Sequence, residues 1–125
     1  MYRVKVGDGP EAFSTNVRGF SALSNLIAVL ASLACPYRVV MVDDSANEPD
    51  SADGESYLFV DAGFGGFFFG GLPDWFAYQV EDSYCGPKRI SAGRFGDQKH
   101  MAYVRLARNH QARLDAVKMS FTRDR

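Results

Sequence analysis

Residues 56–80 read SYLFVDAGFGGFFFGGLPDWFAYQV, and how this stretch folds decides the rest of the domain. Residues 56–61 carry Tyr57, Phe59 and Val60 and predict a strand. Residues 63–71 predict a bulged strand or a glycine-kinked loop, residues 72–74 a turn at Pro73, and residues 75–80 another strand. Successive side chains of a strand face opposite ways, so Phe64, Phe67, Phe68 and Phe69 cannot all point into one core. Those that cross over are either covered by a further element or left as an exposed apolar patch, which marks an interface. Trp75 is close in sequence, and aromatic rings dominate binding hot spots. Phe64, Phe67, Phe68, Phe69 and Trp75 are therefore the candidate partner-binding residues. The competing reading makes them core beneath a helix.

The same glycines do not form a phosphate-binding loop. Gly63 and Gly65 follow a strand, but Phe68 stands where a dinucleotide fingerprint needs its third small residue. Gly70, Gly71 and Pro73 then exclude the helix whose N-terminus would hold the phosphate. No Gly-Lys-Ser/Thr occurs, and no cofactor is expected.

On the N-terminal side, residues 2–6 alternate apolar and basic and predict a half-buried strand that stops at Gly7-Asp8-Gly9-Pro10. Phe20, Leu23, Ile27, Leu30 and Ala34 recur at helical spacing. Leu26, Val29 and Leu33 widen that stripe, so one long buried helix is expected over about 16–35, ended by Pro36. Its apolar run, residues 26–35, is far shorter than the ~20 residues a membrane span needs, and Asp8 and Glu11 upstream argue against a targeting peptide. Residues 37–42 predict a central strand. Residues 43–55 hold six carboxylates and no base, and predict a solvated, mobile loop. Calcium-loop spacing fails there, with Pro49 and Val60 at the first and last ligand positions.

On the C-terminal side, Tyr103, Leu106, His110, Leu114, Val117 and Phe121 fit a helix, although a hairpin turning at Asn109-His110 also fits. The expectation is a helix over about 98–113 and a short last strand at 117–121. The fold class is thus α+β: a mainly antiparallel sheet of four to six strands, with a ferredoxin-like order as one version. The 125 residues make one domain, 1–125.

The net charge of −1 conceals a segregation. Residues 1–87 carry 12 acidic and 4 basic side chains, and residues 88–125 carry 3 and 10. Such asymmetry suits a partner of one sign, or self-complementarity within or between chains, so a homo-oligomer is one option. Lys88, Arg89, Arg94, Arg105 and Arg108 form a candidate basic surface that could follow phosphates. The pI near 6.1 and the lack of an aromatic stacking platform count against a dedicated nucleic-acid binder.

Catalytic chemistry finds little footing. Cys35 and Cys85 are too few for a disulfide scaffold and predict reduced thiols in a cytoplasmic protein. Arg38 stands where a Cys-x-x-Cys pair would place its second cysteine. A zinc site would need both cysteines and both histidines, without a close ligand pair, so no metal is expected. Asp43-Asp44 and Glu81-Asp82 are neighbours that would face opposite ways on strands. The function expected is a non-enzymatic protein–protein interaction module; one natural occupation is a small stand-alone inhibitor, such as an immunity-type protein or a phage-encoded blocker of a bacterial defence system. The alternatives are a nucleic-acid binder using residues 88–125, and a small enzyme using Cys85 or a histidine.

Overall fold

The computed structural model describes residues 1–43 and 55–123. The acidic stretch expected as a loop, residues 43–55, falls outside them except for its two ends. The elements run β1 (Tyr2–Val6), β2 (Phe13–Val17), α1 (Phe20–Ser32), β3 (Tyr37–Met41), β4 (Ser56–Asp61), β5 (Gly66–Leu72), α2 (Asp74–Ser83), β6 (Ile90–Arg94) and α3 (Gln98–Arg123). The α+β class and the antiparallel pairing are as expected. The single sheet is not: the strands form two three-stranded sheets, ordered β2-β1-β3 and β5-β4-β6. Residues of β2 and β5 approach within 8 Å but share no ladder. The β4–β5 register shifts between Ser56 and Leu58, and Gly71 near the end of β5 has a φ of 69°. An irregularity of this kind twists a strand locally and ends its pairing, which suits an edge that does not continue into a larger sheet. The opening hairpin and the split sheets also depart from a ferredoxin-like order.

The first sheet is covered on one face. Val4 and Val6 of β1 and Phe13, Thr15 and Val17 of β2 are buried on the same side, opposite Lys5, which is exposed. Residues 13–17 therefore alternate as a strand, where the sequence reading let the long helix begin. α1 is correspondingly shorter than the expected 16–35. Gly19, with φ of 89°, precedes it, and Leu33 closes it three residues before Pro36. Leu23, Leu26, Val29 and Leu30 are its buried face, while Phe20 is 71% exposed.

The second sheet is covered on both faces. Every residue of β4 from Ser56 to Val60 is buried. Leu58 and Val60 join the main core with Phe69 and Leu72 of β5, Phe76, Ala77 and Val80 of α2, and the buried face of α1. Tyr57 and Phe59 point the other way, into an aromatic layer. Phe59 stacks on Tyr103 of α3 with centroids 4.5 Å apart, and Tyr57 stacks on Phe68 at 5.1 Å. α3 crosses this layer and then continues. No glycine or proline interrupts residues 98–125, and the helix runs to Arg123 with no strand at 117–121. At 1.5 Å per residue its 26 residues span about 39 Å.

Residues 75–80, expected as a strand, lie in α2. Their buried positions 76, 77 and 80 make one helical face, Pro73 precedes the helix and Asp74 lies in its first turn. Phe69→Ala should destabilise the domain by about 3–5 kcal/mol in urea unfolding, because the ring lies in the main core. Phe64→Ala should cost less than about 1 kcal/mol, since that ring is 57% exposed.

Candidate interaction surfaces

The five candidate aromatic residues do not form one patch. Phe69 is buried in the main core, and Phe67 packs against that core. Phe68 lies on the other face, against Tyr57 and within 5.3 Å of the His100 ring. Phe69 is sealed in the core and so is not available for docking, while Phe67 and Phe68 are half-buried beneath the helices that cover the two faces of their sheet. Phe64 and Trp75 stay exposed, at 57% and 47%, but they flank opposite ends of β5. A seven-residue strand separates them by about 20 Å.

Trp75 stands on a groove of about 650 Å³. One wall is α2, with Trp75, Phe76, Gln79, Val80 and Ser83; the other is the turn between β1 and β2, residues 7–12. Leu33 and Cys35, following α1, also line it. Gly7, with φ of 86°, turns the chain out of β1, a conformation that favours glycine. Its N–H is held 2.8 Å from the Pro36 carbonyl, which fixes the turn to the start of β3. Phe13 braces the aromatic wall, edge-on to Trp75 at 6.2 Å and to Phe76 at 4.8 Å. Asp8 and Glu11 stand exposed on the groove, and among the described residues no lysine or arginine lines it. The Cys35 thiol is pushed up by partial burial and then by the Asp8 carboxylate. Both effects disfavour the nucleophilic thiolate.

A second cavity, of about 330 Å³, opens between β5 and α3. Arg18, Arg108, His110 and Gln111 are its polar lining, over Phe67, Phe68 and Ala107. His110 is 6% exposed, and among the described residues neither ring nitrogen has a hydrogen-bond partner. Phe67 stands edge-on to the imidazole at 4.7 Å, and Phe64 lies at 5.4 Å. The backbone approaches closely here: a Cβ on Gly65 would lie 2.6 Å from His110 Cβ and 2.9 Å from the Leu106 carbonyl oxygen. Only glycine lets β5 meet α3 at that distance.

Other polar groups serve the fold. Ser56 donates from β4 to Asp74 of α2, and Arg94 of β6 pairs with the same carboxylate. Tyr57 on the opposite face donates to Asp97 at 3.4 Å. Asp97 caps α3, accepting the His100 N–H at 2.7 Å and the Arg94 N–H at 3.2 Å. Burial pushes the Tyr57 phenol well up, and nearby Asp97 adds to the shift. The backbone bond from His100 is the main influence holding the Asp97 carboxyl below its usual range. His100 Nδ1 accepts from the Gly96 N–H at 3.2 Å.

The candidate basic surface is dispersed. Arg94 is engaged by Asp74 and Lys88 donates to Asn25 at 2.7 Å, while Arg89, Arg105 and Arg108 are exposed. Cys35 and Cys85 are free thiols, the first half-buried and the second exposed. Among the described residues, no three histidine, cysteine or acidic side chains stand close enough to hold a metal ion, and no helix is long and apolar enough to cross a membrane. Comparison of the chain with family models, curated proteins and solved structures finds no match.

The capped state of Asp97 sets an acid dependence. A carboxyl lowered in the folded state adds stability above its unfolded value, 3.8, and loses it as the pH falls through the lowered folded value. Thermal unfolding followed against pH should show part of the wild-type decline below about pH 4 missing in Asp97→Asn, since asparagine still caps a helix.

Proposed function

We propose that this chain is a non-enzymatic protein-binding module that takes a basic segment of its partner into the Trp75 groove. The observation that carries this reading is a half-exposed tryptophan on an open apolar groove whose charged lining, among the described residues, is Asp8 and Glu11. Tryptophan is the residue most often found at binding hot spots, and its ring face attracts a lysine or arginine head. The two carboxylates add attraction of the same sign and would speed encounter with a cationic partner.

Several groups that could serve catalysis are committed elsewhere. The Cys35 thiol is disfavoured as a thiolate, His100 accepts a backbone bond at the start of α3, and Asp74 holds Ser56 and Arg94. An inhibitor that occupies a basic site on another protein is the occupation this surface suits. The interface differs from the one expected from the phenylalanine run: its anchor is Trp75, supported by Phe13 and Phe76.

Short peptides pairing lysine or arginine with leucine or phenylalanine test the reading. Trp75 is the sole tryptophan, so its emission reports directly on the groove. Binding should shift that emission and weaken as salt rises. In calorimetry, Trp75→Ala should weaken binding about 30-fold, the equivalent of about 2 kcal/mol. Asp8→Asn combined with Glu11→Gln should weaken binding at low salt and remove most of the salt dependence. Basic peptides that bind the wild type and both variants alike, or that fail to bind at low salt, would refute the assignment.

A further inference from the structure

We infer that the cavity between β5 and α3 is a second binding site, one for a small organic oxyanion: a carboxylate or phosphate group on an apolar body. Its lining carries the opposite electrostatics to the Trp75 groove. Arg108 is exposed on the lining and His110 buried in it, Arg18 and Gln111 complete its polar groups with the Gln111 amide already donating to Asp115 at 3.0 Å, and among the described residues no aspartate or glutamate is itself a lining residue. Guanidinium groups match the planar fork of a carboxylate and the oxygens of a phosphate. Phe67, Phe68 and Ala107 supply an apolar floor for the rest of the ligand.

The independent sign of a ligand is His110. The ring is 6% exposed, and among the described residues both nitrogens lack a partner. Buried polar atoms are nearly always paired, and an unpaired one calls for an explanation. Phenylalanine would fill the space beside Phe64 and Phe67 without leaving a donor and an acceptor unmet. Histidine at this position is therefore costly to the empty fold, and the cost is relieved when a ligand oxygen accepts its N–H. Gly65, just before β5, brings the chain close against the Cα and Cβ of His110. The site is apart from the proposed protein-binding groove, whose lining shares no residue with it.

Benzoate and phenyl phosphate are the probes, with inorganic phosphate as the control for a merely adventitious anion. Titration of the full chain, followed by NMR of the histidine rings, should move the His110 signals and leave His100 in place. Calorimetry should show binding of one or both aromatic anions. Arg108→Gln, an exposed change that leaves the fold intact, should weaken that binding at least tenfold. His110→Phe should abolish it while keeping or raising the thermal midpoint. Which probe binds better identifies the oxyanion as carboxylate or phosphate. Three results would each overturn the assignment: no binding of either aromatic anion, inorganic phosphate bound equally well, or aromatic anions bound undiminished by Arg108→Gln with His110 unmoved. Should His110→Phe fail to fold, the Arg108→Gln and NMR results still decide.

Discussion

The structure depends on the burial of β4 from both sides. A strand exposed on one face asks for one covering layer; Ser56–Val60 is buried throughout and asks for two. Its neighbouring residues Ser56 and Tyr57 face opposite ways, and each carries a hydroxyl that must find a partner once buried. Ser56 reaches Asp74 in the first turn of α2, and Tyr57 reaches Asp97 at the start of α3. Each covering helix is thus anchored at its N-terminus by an aspartate that also suits the positive end of the helix dipole. Two adjacent strand residues fix where both helices begin, and Arg94 ties the first anchor to β6. The phenylalanines of β5 follow the same division: Phe67 and Phe69 pair across from Val60 and Leu58, and Phe68 pairs across from Phe59.

Much of this was legible in the residues, and the failures have identifiable physical causes. β1 and β4 read correctly because their composition is strand-like over their whole length; β3 was also found as a strand, but it was expected at the centre of a sheet and lies at an edge, beside β1 alone and largely exposed. Residues 75–80 misled because tryptophan, phenylalanine and tyrosine favour strands, while the deciding signal was the spacing of Phe76, Ala77 and Val80 behind Pro73 and Asp74. β2 was hidden by its polar outer face: Ser14 and Asn16 look like helix-capping or loop residues until Phe13, Thr15 and Val17 are read as an alternation. α1 ends without glycine or proline, with Ala34 in the left-handed region at φ 53°, so no residue type announced its end. The apolar line of α3 continued past residue 113 and was the better guide than the β-branched look of residues 117–121.

The surfaces were less legible than the elements. Counting rings correctly required both faces of the β5 sheet to be used, but only the fold shows that two helices cover them. The groove needs Trp75 beside the turn at residues 7–12, more than sixty positions away in sequence, and no local pattern records that approach. His110 on the stripe of the last helix reads from sequence as a hydrogen-bonded core or boundary residue; it is buried, but its ring nitrogens find no hydrogen bond among the described residues. Its missing hydrogen bonds are a property of the assembled neighbourhood, set by Phe64, Phe67 and the close approach of Gly65.

Charge segregation along the chain becomes segregation in space for a topological reason. The acidic lining residues Asp8 and Glu11 sit in the β1–β2 turn, which lies against α2 at one end of the molecule. The cations Arg105, Arg108, Arg113 and Lys118 ride on α3, whose course covers the opposite face of the second sheet. The β4 sheet, closed on both sides by aromatic and aliphatic side chains, lies between these two regions and holds them apart, so that water and salt around the surface screen one from the other. Neutralisation of one region by the other inside the monomer is correspondingly incomplete, and each keeps a field directed outward. An acid-lined groove and a base-lined cavity can then select ligands of opposite sign on one small domain, because β4 requires a helix on each side of it.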